Sequence, residues 1–163
     1  MLHGIGILLA SLVVQAVPPT PASQPPDPTP LVFVVNRNNP IESLSLGELR
    51  MMLLGERSHW PDGSRITVVM RAPKQPEREA VLELVCRLED REYMRTVLLA
   101  VFTGDLRSVP KLLDTPAGVL RFIYNVPGAI GYVRASEVDQ NVRVARLTAV
   151  PPGAAFGFTL KTP

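Results

Sequence analysis

Between Leu31 and Val144, short β-branched runs alternate with capped helical segments. No other feature narrows the fold as far, because strands interleaved with helices must bury their apolar faces in an α/β layer architecture. The first run, Leu31-Val32-Phe33-Val34-Val35, lies between prolines and the turn-forming Asn36-Arg37-Asn38-Asn39-Pro40, and it predicts a buried strand. Further strands are expected over residues 65–70, 129–133 and 141–145.

The helix over 46–54 has the clearest signals. Ser45 and Glu48 have capping-box spacing, Leu44 and Leu49 supply a hydrophobic staple, and Gly55 follows as the C-cap. Helices are also expected over 76–88 and 91–102. A fourth has Thr115 as its cap and Pro116 at its first position, and ends near Asn125. Trp60-Pro61-Asp62-Gly63 is turn chemistry, with Trp60 expected to pack over the domain edge. Gly128 and Gly131 are expected to serve a turn and close strand packing, since no phosphate-loop glycine pattern contains them.

Charge and cysteine content exclude several function classes. Lys and Arg number 17 against 15 Asp and Glu, a net charge of +2 that gives no footprint for nucleic acid. The mixed run Arg87-Leu88-Glu89-Asp90-Arg91-Glu92 reads as a solvated helix face. Cys86 is the single cysteine, so neither an internal disulfide nor a thiolate metal cluster can form, and its expected role is that of a small buried hydrophobe. With only His3 and His59, a histidine-rich metal site is excluded and no cofactor is expected. Ser58, His59 and Asp62 fall within one local turn, outside any nucleophile-elbow pattern, and no nucleophile–base pair is assembled elsewhere. The chain is therefore read as a non-enzyme.

The ends differ in kind from the middle. Residues 1–16 form an apolar run closing in Val14-Gln15-Ala16, shorter than the roughly 20 residues that span a bilayer. They fit a signal peptide cut near Ala16, although the n-region carries no Lys or Arg. A periplasmic or secreted location follows, with membrane attachment only through this segment if it stays uncleaved. Pro18, Pro19, Pro21, Pro25, Pro26, Pro28 and Pro30 make residues 17–30 an extended spacer. The α/β domain is placed at 31–148 and a weakly patterned tail at 149–163.

Three ordered segments carry a family resemblance. The first runs from Asn39-Pro40 through Ser43-Leu44-Ser45-Leu46-Gly47-Glu48-Leu49 and Leu54-Gly55 to Trp60-Pro61-Asp62-Gly63. The second is Ile66-Thr67-Val68-Val69-Met70-Arg71, leading to Arg78; the third is Phe102-Thr103-Gly104 followed by Pro127-Gly128-Ala129-Ile130-Gly131-Tyr132-Val133. Together they resemble the phosphate-type substrate-binding proteins of ABC transporters, specifically short single-lobe relatives. The resemblance implies one lobe of a type 2 periplasmic-binding fold, a mixed sheet flanked by helices. It also implies, for full-length members, phosphate held between two lobes for uptake.

In such members the strand ending in Arg leads into a Gly/Ser/Thr-rich turn at a helix start, where N–H groups and hydroxyls hold an oxyanion. Here Arg71 is followed by Ala72-Pro73-Lys74-Gln75-Pro76-Glu77-Arg78-Glu79, which has two prolines and no Gly, Ser or Thr. Arg71, Lys74 and Arg78 are the anion candidates, against a competing reading as surface charges paired with Glu77 and Glu79. Thr103 and Gly104 can offer a hydroxyl and an N–H, or simply end a helix. The expected function is an exported solute-binding-type protein, taking phosphate or another small oxyanion for ABC transport or sensing with a transporter permease. The alternative is an envelope protein-interaction module that has lost its small-molecule ligand.

Overall fold

The computed structural model describes residues 30–106 and 109–148. The expected signal peptide, the proline-rich linker apart from Pro30, and the C-terminal tail lie outside the described residues. Strands β1 (Leu31–Asn36), β3 (Thr67–Arg71), β4 (Lys111–Leu113), β5 (Ala129–Arg134) and β6 (Val142–Val144) form a sheet in the order β4-β3-β5-β1-β6. β3 runs parallel to β4 and β5, while β1 runs antiparallel to β5 and β6. The short strands β2 (Ser43–Ser45) and β7 (Arg146–Thr148) pair separately.

The helices are α1 (Leu46–Leu54), α2 (Pro76–Val81), α3 (Asp90–Thr103) and α4 (Pro116–Asn125). Strand alternation divides the core between the two faces of the sheet. Leu31, Phe33, Val35, Val68, Met70, Ile130 and Tyr132 share one cluster with Leu49, Met52, Val81, Leu82, Tyr93 and Val97 of the helical layer. On the other face Val32, Val34, Val69, Ala129 and Val133 pack with Val119, Leu120 and Ile123 of α4.

Local chemistry explains the boundaries. The Ser45 hydroxyl accepts from the Glu48 amide at 3.2 Å while the Glu48 carboxylate accepts from the Ser45 amide at 2.9 Å, closing the capping box. Those bonds from Ser45, backbone first, hold the Glu48 carboxyl below its usual range. Gly55 ends α1 in the left-handed conformation at φ 83°. The Thr115 hydroxyl accepts from the Gly118 amide at 3.1 Å, and Pro116 opens α4 as expected. Asn36, at the end of β1, donates to the Ile123 and Tyr124 carbonyls at 2.9 and 2.7 Å, satisfying the last turn of α4.

The single helix expected over 76–88 is interrupted. α2 passes into a π-helical turn over Leu82–Cys86, and Arg87 closes it in the left-handed conformation at φ 55°. The run at 87–92 is accordingly a helix-to-helix junction as well as a charged surface. The last strand also differs from expectation, since the stretch around residues 141–148 divides into β6 and β7. Trp60 is buried and donates from its indole N–H to the Gly128 carbonyl at 3.0 Å, so it clamps the entry to β5 instead of covering an edge.

Gly128 lies against the backbone of Arg65. A Cβ built there meets the Arg65 carbonyl oxygen at 1.9 Å, whereas one on Gly131 meets Ile123, Val119 and Val69 side chains at 3.1–3.2 Å. Side chains at Gly131 can yield, but a backbone oxygen held between β3 and the Trp60 turn cannot. Gly128→Ala is therefore expected to lower stability by about 3 kcal/mol, the upper end of overpacking costs. Urea unfolding monitored by Trp60 fluorescence measures it, with Gly131→Ala losing less.

Candidate functional site

Strands β3, β4 and β5 end at the same edge of the sheet, and β3 and β5 both finish in arginine, Arg71 and Arg134. Open α/β sheets place ligands outside this carboxyl edge. Arg71 is 6% exposed and Arg78, on α2, is 0% exposed, the largest fully buried side chain described. The Arg78 guanidinium donates from Nε to Asp90 Oδ1 at 2.5 Å and from Nη1 to the Arg71 carbonyl at 3.1 Å. It also lies 5.4 Å from the centre of the Tyr93 ring. Its Nη2 has no partner among the described residues.

Arg71 is less satisfied still. Its backbone N–H donates to the Tyr132 hydroxyl at 3.1 Å, and Nη2 reaches Gln75 Oε1 only at 3.4 Å. Nε and Nη1 are buried without an acceptor, and no ion pair involves Arg71 among the described residues. Burial raises the Tyr132 and Tyr93 phenols well above their ordinary values, so both stay neutral donors and acceptors. The same effect pushes the Cys86 thiol up to about 11, making it an inert core group as expected.

The pairing expected from sequence is thus replaced. Glu77 bonds Arg134 at 2.9 Å, across the chain from β5, and Arg78 takes Asp90 instead of Glu77 or Glu79. Helix geometry brings i and i+1 neighbours to different faces, so Glu77 points away from Arg78. Lys74 is exposed and holds a left-handed backbone at φ 67°.

Thr103 and Gly104 are not brought to this corner. They close α3, whose other end carries Asp90, and 14 residues at about 1.5 Å each separate the two ends by roughly 20 Å. The Thr103 hydroxyl donates back to the Leu99 carbonyl at 3.1 Å, and Gly104 caps the helix at φ 84°. Gly104 lines a cavity of about 340 Å³ at the opposite edge of the sheet, with Arg57, His59, Arg65 and Leu106. Ser58 and His59 touch at 2.9 Å, but Asp62 accepts from Ser64, so no triad forms. Asp90, Tyr93, Gln75 and Tyr132 belong to the corner although composition did not single them out. Only Tyr132 carried a signal, through its place in the Pro-Gly-Ala-Ile-Gly-Tyr segment.

Comparison with solved structures places this arrangement. A phosphate ABC transporter substrate-binding protein from Clostridium perfringens, described with bound phosphate, superposes with a TM-score of 0.60 at 20% identity, over 73% of this chain and 45% of its own. An ABC-type phosphate transport receptor from Vibrio cholerae gives 0.60 at 19% identity, over 76% and 48%. A human phosphate binding apolipoprotein gives 0.57 at 18%, over 81% and 42%. The chain has the fold of one lobe of a phosphate-type solute-binding protein. It spans less than half the length of each of these three proteins. No family model and no curated protein matches it. Among the described residues no helix is long and apolar enough to cross a membrane, and no cluster of His, Cys, Asp and Glu has the makings of a metal site.

A buried guanidinium without a counter-ion is a burden on the fold. Arg71→Met keeps most of the side-chain volume and removes the charge. In anion-free buffer that variant is expected to unfold at higher urea, by an amount equivalent to about 1–2 kcal/mol. A loss of stability instead would mean that Arg71 already has its hydrogen bonds satisfied within the fold.

Proposed function

We propose that the domain binds a small oxyanion of the phosphate class at the corner formed by Arg71 and Arg78, acting by binding and without catalysis. The observation that carries this reading is Arg71, buried at 6% exposure with Nε and Nη1 unfilled and no carboxylate partner. Proteins seldom retain buried donors without acceptors, and an oxyanion is the partner whose charge and geometry such donors fit. Lys74 adds a solvent-side positive charge at the mouth of the corner. Thr103 and Gly104 take no part in this binding.

The wider role that fits is an exported solute-binding-type protein. Its apolar leader and proline-rich spacer would place the lobe in the periplasm or outside the cell, where it would serve an ABC permease or a sensor. The bound oxyanion meets no Gly/Ser/Thr turn here. Guanidinium donors take over the work that backbone N–H groups do at a helix start.

The test is a thermal-shift titration of the full chain with phosphate, sulfate and an ionic-strength-matched chloride control. Phosphate at 100 times its dissociation constant adds about 2.7 kcal/mol of stability. That gain is expected in the native chain and absent in Arg71→Met. An equal response to chloride would remove the reading.

A second reading, the envelope protein-interaction module, is favoured by α3. Phe102 is 86% exposed there, beside Leu98 and Leu99. Isolated apolar residues on a surface are ordinary, but three on one helical stretch are suited to a protein contact. In that case Phe102→Ser abolishes association with the partner and leaves phosphate binding untouched. Loss of phosphate binding in Phe102→Ser would show that the patch instead supports the lobe.

A further inference from the structure

We propose that Asp90 is a resident counter-ion, displaced from Arg78 when the oxyanion arrives; this rests on the reading of the corner as an anion site. Side-chain exposure sets the roles, since Arg78 is 1% exposed and Asp90 42% exposed. The cation is fixed inside the protein, and the carboxylate meets it from the solvent side.

The hydrogen bonding explains why Asp90 is replaceable. Nε–H and one N–H of Nη2 form a single edge of the guanidinium, two parallel donors suited to one bidentate anion. Asp90 fills the Nε position with Oδ1, and Nη2 on that same edge is left without an acceptor. A tetrahedral oxyanion spanning both positions satisfies a donor that Asp90 leaves bare. Arg78 stays in place throughout, because Nη1 holds the Arg71 carbonyl and the guanidinium lies over Tyr93.

Charge balance points the same way. Glu77 is committed to Arg134 and Asp90 to Arg78, while Arg71 has no carboxylate among the described residues, so its buried positive charge stands unbalanced beside that of the exposed Lys74. While Asp90 remains, an arriving anion is repelled by a carboxylate sharing the same cation. Once released, Asp90 is rehydrated and keeps a favourable place as the first residue of α3, where the helix dipole accepts negative charge. Asp90 therefore sets the affinity of the site and keeps Arg78 neutralised when no ligand is present.

Isothermal titration of the full chain with inorganic phosphate tests this with three proteins: native, Asp90→Asn and Glu92→Gln. Glu92 is an exposed neighbour in the same helical turn and controls for loss of one negative charge. A like charge next to an ionised group changes its equilibrium by a factor of ten or more, so Asp90→Asn is expected to bind about tenfold tighter than native. Glu92→Gln is expected to stay within roughly twofold, because exposed charges are screened. Equal or weaker binding by Asp90→Asn, with the native chain binding, overturns the counter-ion role and leaves the anion site standing. Absence of binding in both chains removes the site itself. Should Asp90→Asn fail to fold, the Arg78 Nε–H resonance of the native protein decides. Phosphate is expected to move it as its acceptor changes, and an unmoved resonance at saturating phosphate overturns the proposal.

Discussion

A guanidinium with no solvent exposure has to find its partners inside the protein, and Arg78, on α2, makes three contacts on two further elements. It joins the end of β3 through the Arg71 carbonyl, the start of α3 through Asp90, and the face of α3 through the Tyr93 ring. Tyr93 in turn donates to the Leu53 carbonyl at 3.0 Å, which ties the end of α1 to the same centre. The helical layer on this side of the sheet is therefore organised around a charge as much as around its apolar cluster. The π-helical turn after α2 fits this arrangement, because the extra residue per turn changes the direction of the chain just before the junction that delivers Asp90.

Arg71 shows the opposite balance. A chain selected only for stability would place an apolar side chain there, since β3 is otherwise Thr-Val-Val-Met and the position is buried. Its unfilled donors, with Nη2 of Arg78 beside them, are features near this sheet edge that packing does not explain. Strain and unsatisfied polarity concentrate where proteins do their work, so the inference runs from an observed orphan to a ligand.

The fold was legible where a local interaction decides the conformation. Ser45 with Glu48, Gly55, and Thr115 with Pro116 each fix a helix end through bonds between residues near in sequence, and all stand where the sequence puts them. The strands at β2, β4 and β7 were not legible. Each has three residues and owes its existence to a partner far along the chain. The site was readable only in part for the same reason. Arg71 and Arg78 lie seven residues apart and were found, whereas Asp90 sat inside a mixed charge run that looks solvated until α3 folds it onto Arg78. Thr103 and Gly104 stand near Arg71 in the order of the family's motifs, yet the length of α3 carries them to the other edge.

Burial of the two arginines also bears on how a domain of this size can hold an anion. Two unit charges 4 Å apart attract by about 1 kcal/mol in bulk water and about 4 kcal/mol at an effective dielectric of 20. A ligand lying on an open face works near the first limit, and one enclosed between two lobes works nearer the second. This chain spans less than half the length of the phosphate-binding structures it resembles. Sinking Arg71 and Arg78 beneath the surface of this lobe moves their charges towards the drier limit by burial within the lobe itself. The cost is a destabilised empty state, and Asp90 offsets it for Arg78 alone. Arg71 has no carboxylate to answer its charge among the described residues, so under the proposed function it is the group through which occupancy of the corner would act on the stability of the fold.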